Sequence, residues 1–163
     1  MGFASHLGPW LLGTVKNTTG TTAGTIRNMG AAVVTQTGTT TVSDTTATTL
    51  FVLPAGAQIN NFFVDITTAY AGTTGNTITI QTAAGASLAT VGGATTTPLA
   101  VGRATVTPTG AQVGTWLNVG STDLIVQVIY ACAGVASGGA ATITCSYTVK
   151  GSDGAANPTT TQN

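Results

Sequence analysis

Phe62-Phe63-Val64-Asp65-Ile66-Thr67-Thr68-Ala69-Tyr70 is the stretch whose reading decides the fold class. Successive side chains of a strand point to opposite faces, so Phe62, Val64, Ile66 and Tyr70 share one face while Asn61, Asp65 and Thr67 share the other. That is the period of a half-buried strand. The same signal recurs on both sides of it. Thr48 to Leu53 is a run closed by Pro54-Ala55-Gly56-Ala57, where Pro and Gly supply the turn geometry, and the chain leads back at Gln58-Ile59. Downstream, Thr77 to Gln81 alternates cleanly after the turn at Gly72 to Asn76, Ser87 to Val91 and Arg103 to Thr107 alternate more weakly, and Trp116 to Val119 precedes two longer apolar runs. Strong helix formers other than Ala are scarce, and no window carries a 3.6-residue apolar period. The class is all-β, an antiparallel β-sandwich.

The two long runs, Leu124 to Cys132 and Ala141 to Val149, predict a hairpin. Gly138-Gly139 between them suits a two-residue turn whose central residues need positive φ. In that register Cys132 faces Cys145, Tyr130 faces Tyr147 and Val128 faces Val149, with Thr142, Thr144, Ser146 and Thr148 outward. A non-hydrogen-bonded cross-strand pair brings two cysteines close enough for a disulfide, whereas assembly in a reducing cytosol and the frequency of small buried Cys favour free thiols. Both readings stand at this point.

Outside the sandwich the pattern changes. Residues 1–31 read as an extended N-terminal arm, 32–151 as the β-sandwich domain, and 152–163 as a flexible C-terminal tail with almost no apolar side chains. Phe3, Leu7, Trp10, Leu11 and Leu12 form an apolar patch in a segment poorly patterned for a sheet. They are the candidate partner-binding residues; the alternative is that they fold back over the chain's own sheet edge.

Composition excludes several functions. Of 163 residues only 5% are charged, with four Lys plus Arg balanced by four acids, all of them Asp. Lys16, Arg27, Arg103 and Lys150 are scattered, so no basic footprint for nucleic acid or anionic lipid exists. No apolar run approaches the roughly 20 residues of a membrane helix, and residues 1–15 lack the basic start and sustained apolar core of a secretory signal. A net charge near zero promotes association instead. His6 is the single histidine, Asp44, Asp65, Asp123 and Asp153 are dispersed, and Cys132 and Cys145 have no His partners for zinc. Catalysis, metal and cofactor binding are therefore not expected. Gly92-Gly93 and the glycines between 134 and 139 read as turns, since no Lys-Ser or Lys-Thr pair or helix follows them. Trp116, Tyr70 and Tyr130 would be the stacking residues of a carbohydrate-binding module, although the alternation turns both tyrosines inward.

The stretch Leu50-Phe51-Val52-Leu53-Pro54-Ala55-Gly56-Ala57-Gln58-Ile59, followed by Phe63-Val64-Asp65-Ile66-Thr67, resembles structural proteins of tailed-bacteriophage virion modules, which pair such a turn with an alternating strand. Trp116-Leu117-Asn118-Val119-Gly120 and the closing Ser146-Tyr147-Thr148-Val149-Lys150-Gly151 keep the same order, so the likeness spans roughly residues 48 to 151. Gly8-Pro9-Trp10-Leu11-Leu12-Gly13-Thr14-Val15 is similar to the start of small virion proteins of marine-type phages. The resemblance implies a capsid decoration, or cement, protein: a jelly-roll or related sandwich, often trimeric. Such a protein is assembled in the host cytoplasm, sits on the outside of the head and bridges neighbouring major capsid subunits. Head fibre, tail component and host-recognition module are the alternatives. The resemblance transfers no functional residue.

Overall fold

The structure, a computed structural model, describes residues 32–72, 74–93 and 98–149. Among the described residues eight strands form, in chain order: β1 (Ala32–Thr41), β2 (Thr48–Leu53), β3 (Gln58–Thr68), β4 (Thr74–Thr82), β5 (Ser87–Gly92), β6 (Gly102–Thr105), β7 (Leu124–Ala133) and β8 (Ala140–Val149). A seven-residue helix, α1 (Ala111–Leu117), lies between β6 and β7. The first sheet has the order β1-β8-β3-β6 and the second β2-β7-β4-β5, with every pair of neighbours antiparallel. Only β4 and β5 are consecutive strands of one sheet; otherwise, apart from the β4–β5 step, the chain changes sheet at each connection. This is the eight-stranded jelly roll.

Alternation places the core between the sheets. Phe62, Val64, Ile66 and Tyr70 are all buried, as the sequence pattern requires, and they face Ile78, Ile80, Val126, Val128 and Tyr130 from the second sheet. Two inner faces of this kind interdigitate across about 10 Å, which is the thickness of one apolar layer. The turn after β2 also forms where Pro54 and Gly56 predict it, with Gly56 at φ 69° and the Ala57 N–H donating to the Pro54 carbonyl.

The expected β7–β8 hairpin does not form. β7 pairs with β2 and β4, whereas β8 pairs with β1 and β3, so the two long runs belong to opposite sheets. Cys145 stands opposite Gln36 and Phe62, Tyr147 opposite Val34 and Ile59, and Val128 opposite Ile80. The predicted inward faces are right and the predicted partners wrong, because alternation states which face of a strand is apolar and not which strand lies beside it. Gly138 and Gly139 serve a different purpose. With φ 66° and 137°, they carry the connection past the ring of Tyr70 to enter β8.

The disulfide reading falls with the hairpin: Cys132 and Cys145 are free thiols on strands of different sheets. Cys132 is half-buried, its thiol donating to the Gly134 carbonyl at 3.3 Å, while Cys145 is fully enclosed and burial pushes its thiol up to about 12. A thiolate is the reactive species. In the native protein a small alkylating reagent is therefore expected to label Cys132 and spare Cys145, and both should react after denaturation, as peptide mapping by mass spectrometry will read.

Two elements are absent from the sequence reading. β1 has Val34 as the one large apolar side chain on its inward side, beside Gln36, Gly38 and Thr40, and so shows no apolar alternation, while α1 is too short for a helical period to register. Gly114 interrupts that helix and no side chain caps its first turn. Its anchor is Trp116, whose indole N–H donates to the Leu88 carbonyl of β5 at 2.9 Å and whose ring meets Phe62 of β3 edge-on at 5.4 Å. Trp116 thus closes the open side of the sandwich by touching both sheets.

Candidate functional site

Each acid among the described residues has a structural partner. Asp44 organises the β1–β2 turn by accepting from the Thr41 N–H at 2.8 Å and from the hydroxyls of Thr40 and Thr48. Asp123 accepts from the Ala55 N–H at 3.0 Å and ties two loops together. Asp65 forms a two-pronged pair with Arg103, at 2.6 Å to Nε and 2.9 Å to Nη2. The hydrogen-bonded guanidinium holds the Asp65 carboxyl below the usual carboxylate range. No group of three His, Cys, Asp or Glu among the described residues could hold a metal ion. These acids fix turns and one strand pair; they do not converge on a reacting atom.

The aromatic candidates are equally committed. Trp116, Tyr70 and Tyr130 are buried, so none offers a stacking platform to a sugar; for Trp116 this corrects the sequence reading, and for the tyrosines it follows the alternation. Tyr70 and Tyr130 lie tilted against each other at 4.8 Å, and their hydroxyls donate to the Thr40 carbonyl and to Asn76 Oδ1 at 3.0 and 2.6 Å. Asn76, fully buried, returns an amide hydrogen to the Gly72 carbonyl. Satisfied buried networks of this kind define a core.

Burial also shifts the titration of this core. It pushes the Tyr70 and Tyr130 phenols up to about 12 from an ordinary 10.0, as it pushes the Cys145 thiol up from 9.0. All three groups are neutral acids whose folded form binds its proton more tightly than the unfolded chain. Between the unfolded and folded values the native state therefore holds more protons, and stability falls with rising pH. Urea midpoints are expected to be flat across neutral pH and to decline steadily from about pH 9 toward pH 12.

What remains available to a partner is the outside of the two sheets, and the two outer faces differ. On the first sheet, β1 presents Thr35, Thr37, Thr39 and Thr41, and β8 presents Thr142, Thr144, Ser146 and Thr148 beside them. Thr37 and Thr144 share a hydrogen bond at 3.3 Å, and the Asn60 amide donates to Thr148 at 3.0 Å. The Asp65–Arg103 pair, with Arg103 placed 5.2 Å over the Phe63 ring, is the one ion pair on this face among the described residues. Sequence reading found Asp65 on the outer side but not its partner, because Arg103 is brought alongside only by the β3–β6 register. The second sheet has exposed aliphatic residues at Val52 of β2 and, directly opposite, Ile125 of β7, as the first sheet has at Val33.

Phe3, Leu7, Trp10, Leu11 and Leu12, together with His6, lie outside the described residues. Among the described residues, no helix is long and apolar enough to cross a membrane.

The fold is similar to that of one chain of the solved cyanophage Pam1 capsid asymmetric unit, with 17% sequence identity and a TM-score of 0.58. That likeness covers 83% of this chain and 97% of the other. A chain of the T13 IBDV viral particle aligns over 74% of this chain and 36% of its own, with 15% identity and a TM-score of 0.27, a score too low to carry an argument. No protein-family model and no curated protein matches the sequence.

Proposed function

We propose that the chain is a non-enzymatic structural protein of a virion, a decoration protein that binds the major capsid protein on the outer surface of a phage head. The observation that carries this reading is the jelly roll it shares along nearly the whole length of a chain from a phage capsid asymmetric unit. The dispersed and engaged acids support a role without chemistry, and an outer face of threonines whose one ion pair, Asp65–Arg103, is satisfied within the chain supports attachment without ion pairs to a partner. In this reading the apolar residues of the arm, Phe3, Leu7, Trp10, Leu11 and Leu12, make the contact with the shell, and copies associate as a trimer.

The deciding experiment is the copy number of this chain relative to the major capsid protein in purified particles, by quantitative peptide mass spectrometry. A number comparable to that of the shell protein supports decoration. A few copies per particle move the reading to head fibre or tail, and absence removes it. Deleting residues 1–15 is expected to abolish attachment while the sandwich stays folded; retained attachment overturns the role of the arm.

Threonine adds a β-branched methyl and a short hydroxyl, so contacts through it immobilise little side-chain freedom and involve no charge. Attachment is therefore expected to be nearly independent of salt between about 0.1 M and about 1 M, over which the screening length falls from about 10 Å to about 3 Å. A co-sedimentation series with particles checks this.

A further inference from the structure

We infer that the β1 edge of the first sheet is a strand-pairing surface whose occupant is the β1 edge of a second copy, joined antiparallel about a two-fold axis at Gln36. The pair uses one edge of each copy and leaves the outer faces and the other edges free, so it rests neither on the virion reading nor on the trimer proposed there.

The ladder to β8 shows which backbone groups are engaged. The Val42 N–H donates to the Gly139 carbonyl, and from that bond the antiparallel register carries the bonded pairs to Thr40 and Ala141, Gly38 and Ile143, Gln36 and Cys145, and Val34 and Tyr147. The N–H and C=O groups of Val33, Thr35, Thr37 and Thr39 therefore point away from β8, to the edge beyond which no further strand lies among the described residues. Thr41, next in that row, is taken by the turn: its N–H donates to Asp44 Oδ2 and its carbonyl accepts from the Asp44 N–H. A row of unpaired backbone groups is a template for another strand, and proteins blunt such edges with short strands, charges, prolines and bulges. The other three edges of the described sandwich are blunted in these ways. β6 has four residues and carries Arg103. β2 has a register shift between Thr49 and Phe51, is followed by Pro54, and has its Val52 carbonyl taken by the Gln36 amide. β5 has a register shift against β4 and gives its Leu88 carbonyl to the Trp116 indole. β1 alone is ten residues long, without a charge or a proline, and runs along β8 without a register shift.

The symmetry of this row selects the occupant. Val33, Thr35, Thr37 and Thr39 are centred on Gln36, so a second β1 laid antiparallel sets Val33 opposite Thr39 and Thr35 opposite Thr37 as the bonded pairs. Every edge-directed N–H and C=O of the four then finds its complement on the same four residues of the other copy. An interface of this kind uses one patch twice and closes on itself. On the outer face the exposed side chains of Thr35 and Thr37 come to lie across from each other, a hydroxyl pairing that favours strand association. Val33, 67% exposed in the single chain, gains Thr39 as its neighbour. Nothing in the approach is repelled: residues 32–41 carry no charge, and the formal net charge of the whole chain is +0.

The test reads the edge amides of the full chain by hydrogen exchange in NMR. Exchange at Val33, Thr35, Thr37 and Thr39 is expected to slow as protein concentration rises, in step with a change from monomer to dimer mass in light scattering. The Arg103 amide, at the other edge of the same sheet, should not respond. Thr35→Lys combined with Thr37→Lys sets lysines opposite one another across the axis, and Thr35→Asp combined with Thr37→Asp sets aspartates there. Either doubly substituted chain alone should lose the protection, and an equimolar mixture of the two should regain it. Edge amides that exchange equally fast at every concentration overturn the proposal whether or not the variants fold. Protection that persists in a dilute monomer overturns it as well, since the edge is then covered within the chain, and so does a mixture of folded variants that fails to pair. A trimer with the row protected also overturns it, because three copies cannot share a two-fold edge, and assigns β1 to a head-to-tail ring.

Discussion

Trp116→Ala is expected to destabilise the sandwich by about 3–5 kcal/mol, the range for removing a large buried aromatic. At an m-value of about 2 kcal/mol/M the urea midpoint should fall by about 2 M. Three effects add. The cavity opens between the sheets, Phe62 loses its edge-on neighbour, and the Leu88 carbonyl, on a residue 1% exposed, loses its donor. The helix then keeps only the Gln112 side-chain amide's bond to the Ser87 hydroxyl of β5, since its seven residues include Gly114 and it lacks a side-chain cap. An isolated helix of that length does not persist in water. Trp116→Phe keeps most of the ring and removes only the indole donor, so it should lose roughly half as much. A midpoint for Trp116→Ala within experimental error of the wild type would show that α1 is decoration on the sandwich rather than its closure.

Gly139→Ala carries the second large effect, about 2–5 kcal/mol from overpacking together with a backbone conformation that L residues avoid. A Cβ at this position would strike the Tyr70 ring, coming within 2.6 Å of Cγ, and would approach Val42 Cγ1 at 2.8 Å, with φ at 137°. Tyr70 cannot give way, because it is fully buried, packed against Tyr130, and tied by its hydroxyl to the Thr40 carbonyl. Gly138→Ala provides the control. Its φ of 66° is in the left-handed region too, but the nearest atom to its Cβ is the Ala69 carbonyl oxygen at 4.0 Å. It should cost only about 1–2 kcal/mol. Equal losses in the two variants, measured by urea denaturation, would assign the effect to backbone strain alone and remove the role given to Tyr70.

Gly139 also shows where sequence reading stops. Every strand with an apolar alternating face was legible; in β3 the buried set agrees residue by residue, and in β7 and β8 Val128, Tyr130, Cys145 and Tyr147 are buried as expected while Cys132 and Val149 are only half-buried. Pairing was not legible, because Tyr130 and Tyr147 satisfy the same alternation whether they are neighbours in one sheet or face each other from two. A glycine pair between two such strands has the composition of a tight hairpin, yet here it makes room for an aromatic ring. β1 escaped notice because Val34 is the one large apolar side chain among the inward positions Val34, Gln36, Gly38 and Thr40, the rest being held by hydrogen bonds and close contacts. Of the candidate surface, the outward threonines of β8 could be read directly, whereas the Arg103–Asp65 pair and the Val52–Ile125 pair exist only once the register is known.

The place of β8 between β1 and β3 has a consequence in time. During synthesis β1, β3 and β6 emerge long before their central neighbour, so the first sheet is completed only after Val149 has left the ribosome, while β4 and β5 can pair as soon as they are made. Non-local pairing of this kind is slow, and open strand edges are templates for aggregation while they wait. A nascent chain stalled short of residue 140 would hold an assembled second-sheet hairpin beside two strands with nothing between them, and the last ten-residue strand is the event that turns an aggregation-prone chain into a closed sandwich.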